Sequence, residues 1–200
     1  MRIALFEDNQ APNFLPLTWL RPVFELLCGH FSARERALRF LPITAWGAFC
    51  RPELVDCYAE EHPEAQINTP RWLSEGRTLL LNGRWLASPT DLSQCDPDAA
   101  GLIDGEVAWI TVEPWETPLF LIQDCASAVE QLARSRRRVK AVGKLAQFPW
   151  DLIAYNGDQL IVDFQARPKS APQDLSGTQA AVVGSANDVY VDATASIDPF

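Results

Sequence analysis

Arg2-Ile3-Ala4-Leu5-Phe6-Glu7-Asp8-Asn9 opens the chain with a β-branched and aromatic run that stops at two acids and an amide. Such a run reads as a first strand, Arg2 to Phe6, that delivers a polar loop. The loop continues through Gln10-Ala11-Pro12-Asn13 to Leu15-Pro16-Leu17-Thr18, and after Arg21-Pro22 the chain turns apolar at Val23-Phe24 and Leu26-Leu27. Ser32-Ala33-Arg34-Glu35 then forms a capping box, with Ser32 placed to accept an N–H and Glu35 to reach back, so a helix starts there.

The same alternation continues outward. Glu53 to Glu61 reads as a helix with Pro52 near its first turn. Thr78-Leu79-Leu80-Leu81-Asn82 reads as a buried strand ending at Asn82-Gly83, and Glu106 to Val112 as a second. Ile122 to Arg138 places Ile122, Cys125, Val129, Leu132 and Ala133 on one helical face. Strands alternating with helices predict an α/β layered domain with ligands at the C-terminal ends of its strands.

Composition narrows the function classes. Hydrophobic residues make up 48% of the 200 and charged ones 22%, with seven Trp, which argues for a packed chain and against disorder. No apolar run approaches the ~20 residues that span a bilayer, and the chain opens directly into its first strand. These features predict a soluble, cytoplasmic protein without a membrane partner. The formal net charge of -9 disfavours nucleic acid, although a few arginines and backbone N–H groups suffice for a small phosphorylated ligand. Arg134, Arg136, Arg137, Arg138 and Lys140 form a basic run, read as closing the Ile122 helix where cations suit the helix dipole. The five cysteines include no C-x-x-C pair, which predicts reduced, mostly buried thiols. Phe148 and Trp150 are expected as core or interface anchors.

Residues 1–164 are therefore expected to form the α/β domain. Residues 165–180 shift to Pro, Ser, Gly and polar residues and read as a linker. In 181–200, Val191-Asp192 and Ile197-Asp198 repeat an aliphatic-acid pair after six positions, with the small Ala195 between. That step suits the first coil of a solenoid, and an ordinary polar strand is the other reading.

Leu15-Pro16-Leu17-Thr18-Trp19-Leu20-Arg21-Pro22, after a strand-and-loop opening, resembles the PLT…P segment of sugar-1-phosphate nucleotidyltransferases. Phe6-Glu7-Asp8-Asn9, Leu81-Asn82-Gly83-Arg84, Phe148-Pro149-Trp150-Asp151-Leu152 with Asn156, and Asp163-Phe164 are similar, in order, to a subgroup of that family. The subgroup is related to the bifunctional uridylyltransferase/acetyltransferase that makes UDP-N-acetylglucosamine. The resemblance implies a Rossmann-like nucleotide-diphospho-sugar transferase domain followed by the first strands of a left-handed parallel β-helix. Such a helix assembles homotrimers when complete, and the chain is expected to be part of a longer protein.

The chemistry implied is attack of a sugar-1-phosphate oxygen on the α-phosphate of a nucleoside triphosphate, with release of pyrophosphate. Catalysis of this kind rests on positioning and on neutralising phosphate charge with Mg²⁺ and cationic side chains. On the resemblance, Arg21 is the catalytic phosphate contact, and Asp8, Asn9, Thr18, Asn82 and Gly83 bind substrate or phosphate. Asp8 and Asn156 are the implied metal ligands.

Read from chemistry alone, each candidate keeps a plainer alternative. Arg21 suits a surface arginine fixing a loop, Asp8 an Asx turn, and Asn156-Gly157 a hairpin turn. The loop from Glu7 to Phe14 holds no glycine, the first in the chain being Gly29, so close backbone approach to phosphate is not built in. A second function therefore stands beside the first: a binding or scaffold domain that keeps the fold without turnover.

Overall fold

The computed structural model describes residues 1–167, 183–185, 188–192 and 194–197. Among them a seven-stranded sheet is formed by β1 (Arg2–Phe6), β2 (Ala45–Phe49), β3 (Gln66–Ile67), β4 (Thr78–Asn82), β5 (Ala99–Ile103), β6 (Glu106–Val112) and β7 (Arg137–Lys140). The spatial order is β7-β5-β6-β4-β1-β2-β3, and β6 alone runs against the others. The helices are α1 (Ala33–Phe40), α2 (Val55–Glu61), α3 (Pro89–Ser93), α4 (Thr117–Ile122), α5 (Cys125–Ser135) and α6 (Pro149–Gln165).

Alternation along the central strands explains the layering. Ile3 and Leu5 of β1 and Leu79 and Leu81 of β4 pack on one face with Ala37, Tyr58 and Leu92, from α1, α2 and α3. Ala4, Phe6 and Leu80 face the other side, against Phe120 of α4 and Ala128, Val129 and Leu132 of α5. Both faces are covered, so β4 is buried throughout and Leu79-Leu80-Leu81 is an unbroken apolar run instead of alternating. The mixed α/β architecture with a mostly parallel sheet agrees with the expected Rossmann-like class.

Several local expectations need correction. The stretch from Ile122 to Arg138 is not one helix. Asp124 interrupts it, its carboxylate accepting the Ser127 N–H at 3.0 Å and so starting α5 afresh. The basic run is divided: Arg134 lies in the last turn of α5, whereas Arg137 to Lys140 form the edge strand β7. Charged side chains on an edge strand discourage pairing with another chain. Asn156-Gly157 is no hairpin, because both lie inside α6. That helix is nucleated by Pro149 in its first turn and by Asp151, which accepts the Phe148 N–H at 2.9 Å. Phe148 and Trp150 stack on each other at 4.7 Å but are exposed, so neither belongs to the core. The cysteines are all free; Cys28 and Cys50 are buried, Cys95 and Cys125 half-buried and Cys57 exposed.

The chain divides into two units, Met1–Ala166 and Arg167–Phe200. In the second, the described residues include an Asx turn, with Asp192 Oδ1 accepting the Thr194 N–H at 3.0 Å. No strand occurs among the described residues there; 168–180 of the expected linker and 181–182, 186–187, 193 and 198–200 of the expected β-helix start lie outside them. No helix among the described residues is long and apolar enough to cross a membrane.

Candidate functional site

Parallel register brings three strand ends level, since Phe6 of β1 is opposite both Phe49 of β2 and Asn82 of β4. Glu7-Asp8, Cys50-Arg51 and Gly83-Arg84 therefore leave the sheet at one edge. The antiparallel β6 begins at that edge, which adds Glu106. This is the carboxyl edge, where open α/β sheets form ligand crevices.

The two acids of the first loop do different work. Glu7 is buried; its Oε1 accepts the Val23 N–H at 2.9 Å and its Oε2 accepts the Arg51 N–H at 2.9 Å and Arg51 Nε at 3.1 Å. It ties the loop's return to the end of β2. Asp8 faces β4. Its Oδ1 accepts the Gln10 N–H at 3.0 Å, the Asx turn, and Arg84 Nε at 2.9 Å. Its Oδ2 accepts Asn82 Nδ2 at 2.7 Å and Arg84 Nη2.

Arg84 is the centre of this cluster. Its side chain is fully buried, donates to Ala146 O at 2.7 Å, and pairs with both Asp8 and Glu106. Burial works to lower the guanidinium pKa, but the hydrogen bonds and charges of Asp8 and Glu106 outweigh it and raise the pKa. Asn82 completes the set. Its Oδ1 accepts the Arg84 N–H at 2.9 Å while Nδ2 donates to Asp8 and to Val107 O. Only an amide both accepts and donates here; a carboxylate would set a third negative charge against Asp8.

Two adjoining hollows meet over Asp8, Asn9 and Ala126. One, of about 390 Å³, lies between the loop, the start of β6 and α5, and includes Asn82, Glu106, Arg134 and Arg138. The other, of about 470 Å³, lies over the ends of β1 and β2 and the junction of α4 and α5, and includes Phe49, Arg51, Pro52, Asn68, Pro70 and Phe120.

Of the residues expected from sequence, Asp8, Asn9 and Asn82 come together here. Gly83 is buried one step deeper, where a Cβ would meet Phe24 at 2.9 Å and Val23 at 3.0 Å; its missing side chain serves packing and not approach to phosphate. Thr18 is fully buried, which removes it from direct contact with a ligand. Arg21 is exposed and lines neither hollow, and its carbonyl oxygen lies 3.4 Å from Arg51 Nη2. Asn156 lies on α6, accepts the Gly29 N–H at 2.8 Å and lines a separate apolar groove. The loop is anchored by Ala11 and Phe14, both fully buried in a small cluster with Val23, Cys28 and Leu86. Side-chain burial here takes the place of a glycine-rich wrap. Sequence reasoning assigned no role to Arg84, Glu106 or Arg51. An arginine two residues past the end of a buried strand, and an acid at the start of another, were the available signals.

The expected metal ligands do not fit a divalent ion. Both oxygens of Asp8 already accept hydrogen bonds, and a cation within ~4 Å of the Arg84 guanidinium meets a repulsion of about 4 kcal/mol per unit of charge at an effective dielectric of 20. Asn156 is held elsewhere. Among the described residues no group of three or more His, Cys, Asp or Glu side chains is arranged to hold a metal.

The fold matches solved nucleotidyltransferases. The inositol-1-phosphate CTP transferase from T. maritima superposes with a TM-score of 0.54 at 10% identity, covering 82% of this chain and 96% of that one. A nucleotidyl transferase from Methanothermobacter thermautotroptrophicus gives 0.50 at 9% identity, over 80% and 98%. A Bacillus anthracis protein assigned as a glucose-1-phosphate thymidylyltransferase gives 0.50 at 8% identity, over 80% and 96%. At such identities the likeness is one of fold. No curated protein matches the sequence. A family model described as sugar nucleotidyl transferase matches residues 3–171, the whole sheet and the cleft at its edge, and the chain belongs to that family.

Proposed function

We propose that this domain transfers a nucleotidyl group from a nucleoside triphosphate to a sugar-1-phosphate and releases pyrophosphate. The observation that carries the reading is the pair of hollows meeting over Asp8 and Asn9, at the carboxyl edge of a sheet from this family. The nucleotide is assigned to the hollow edged by Phe49, Phe120, Pro52 and Pro70, whose apolar lips suit a base. The sugar phosphate is assigned to the neighbouring hollow, where Arg134 and Arg138 supply positive charge. The reacting phosphates then meet over Asn9 and Gln10. Magnesium enters with the triphosphate, as part of the substrate complex, and the chain's share of the chemistry is orientation and charge.

A panel of nucleoside triphosphates against sugar-1-phosphates, followed by pyrophosphate release, tests this. The expected outcome is turnover with one matched pair and a several-fold higher KM for the sugar phosphate in Arg138→Ala. No turnover and no nucleotide binding across the panel would defeat the reading. The rival, a binding or scaffold domain, draws on the saturated Asp8. It gains if nucleotide binds and pyrophosphate never forms. Kinship with the UDP-N-acetylglucosamine enzyme, the β-helix, the homotrimer and a cytoplasmic location go with this reading.

A further inference from the structure

We infer that Arg84 is the resident cation of the cleft, occupying the space between Asp8 and Glu106 so that the chain offers no metal site of its own. The inference deepens the catalytic reading above and rests on it only for the identity of the ligand.

Three neighbouring strands deliver the cluster. Asp8 follows β1, Arg84 follows β4 and Glu106 starts β6, and these strands lie side by side in the sheet. Two carboxylates at the mouth of a phosphate-binding cleft repel each other and any polyphosphate unless a cation stands between them. Arg84 Nη2 reaches Asp8 Oδ2 and Glu106 Oε2 together, each at 2.5 Å. Asp8 keeps 17% of its side-chain surface exposed and Glu106 37%, whereas Arg84 keeps none. The carboxylates thus form the surface and the guanidinium the floor.

The arrangement also removes lone pairs from any competing ion. Asp8 Oδ2 accepts from Arg84 and Asn82, and Oδ1 from Arg84 and the Gln10 N–H. A carboxylate has about four acceptor sites, and these contacts take those pointing inward. Because Arg84 is covalently fixed, the neutralisation neither dissociates nor depends on metal concentration. Since it is fully buried and lines neither hollow, Arg84 is a positioning residue: it sets the charge and orientation of Asp8. Replacing it with glutamine leaves two adjacent carboxylates and brings in an amide oxygen, a hard-ligand set suited to a divalent ion.

The test is a Mn²⁺ titration of nucleotide-free protein, followed by the EPR signal of free Mn²⁺. Wild type and Asp8→Asn are expected to behave alike, with no stoichiometric site below the millimolar range. Arg84→Gln is expected to gain one site at least tenfold tighter, lost again when Asp8→Asn is added and absent in Arg84→Lys. One equivalent of Mn²⁺ bound by wild type and abolished by Asp8→Asn would overturn the inference. So would a folded Arg84→Gln that gains no site. Should Arg84→Gln not fold, the comparison of wild type with Asp8→Asn decides alone. Nucleotide titrations with EDTA, run in parallel, separate the two claims: failure to bind nucleotide in any condition defeats the catalytic reading and leaves the Mn²⁺ result standing.

Discussion

Glu7 and Asp8 are adjacent and chemically alike, yet one is a buried staple and the other borders the cleft. Alternation along an extended chain turns successive side chains to opposite sides, so Glu7 meets Val23 and Arg51 while Asp8 meets Asn82 and Arg84. The sequence places both acids at a strand end but cannot show that an arginine 76 residues away neutralises one of them. Cys50, at the edge of the same cleft, gives a pH signature. Burial first, then the Glu7 carboxylate, push its thiol up to about 12 from 9.0. An unfolded chain loses that proton near pH 9, whereas the folded chain retains it until about pH 12. The folded state then binds the extra proton, so the contribution to stability is complete below pH 9 and declines as pH rises through this window. The decline amounts to something on the order of 4 kcal/mol over three pH units. Urea denaturation between pH 8 and 11 should show a shallower fall for Cys50→Ala than for wild type; parallel curves would contradict the assignment.

At the scale of elements, local signals served well where a cap or an apolar run was explicit. The Ser32 capping box is formed as read, with Ser32 Oγ accepting the Glu35 N–H at 3.1 Å and Glu35 Oε2 accepting the Ser32 N–H at 2.9 Å. Ser32→Ala should cost about 1 kcal/mol, seen as a lower urea midpoint with an unchanged m-value. An effect near zero would mean that α1 is held by packing alone. The errors arose where tertiary partners override local preference. Asn-Gly at 156–157 is a turn signal, but Asn156 is used from within α6 to hold Gly29, whose φ of +80° suits glycine. Nearby, Asp163 pairs with the buried Arg36 and accepts the His30 N–H, joining α6 to α1 and to the turn before it. Nothing in the spacing of these residues announces that junction. Likewise, five basic residues look like a helix terminus, but α5 stops at Ser135 and Arg137 to Lys140 pair with β5.

For the molecule as a whole, the layered α/β class was legible because both faces of β1 and β4 are covered, and that covering leaves continuous apolar runs. The strand order was not legible, since it depends on pairings across long sequence separations. The cleft follows from that order: β1, β4 and β6 must be neighbours before Asp8, Arg84 and Glu106 can meet. Hence three of the expected ligand residues, Asp8, Asn9 and Asn82, assemble at the edge while Thr18, Arg21 and Asn156 serve elsewhere. The central claim is that nucleotide phosphates lie at this edge. A crystal structure with a nucleoside triphosphate and Mg²⁺ bound tests it most directly. The expected result is the base in the hollow lined by Phe49, Pro52, Pro70 and Phe120, the phosphates over Asn9 and Gln10, and Arg84 still paired with Asp8. A triphosphate seated away from this edge, for instance along the apolar groove beside α6, would contradict it.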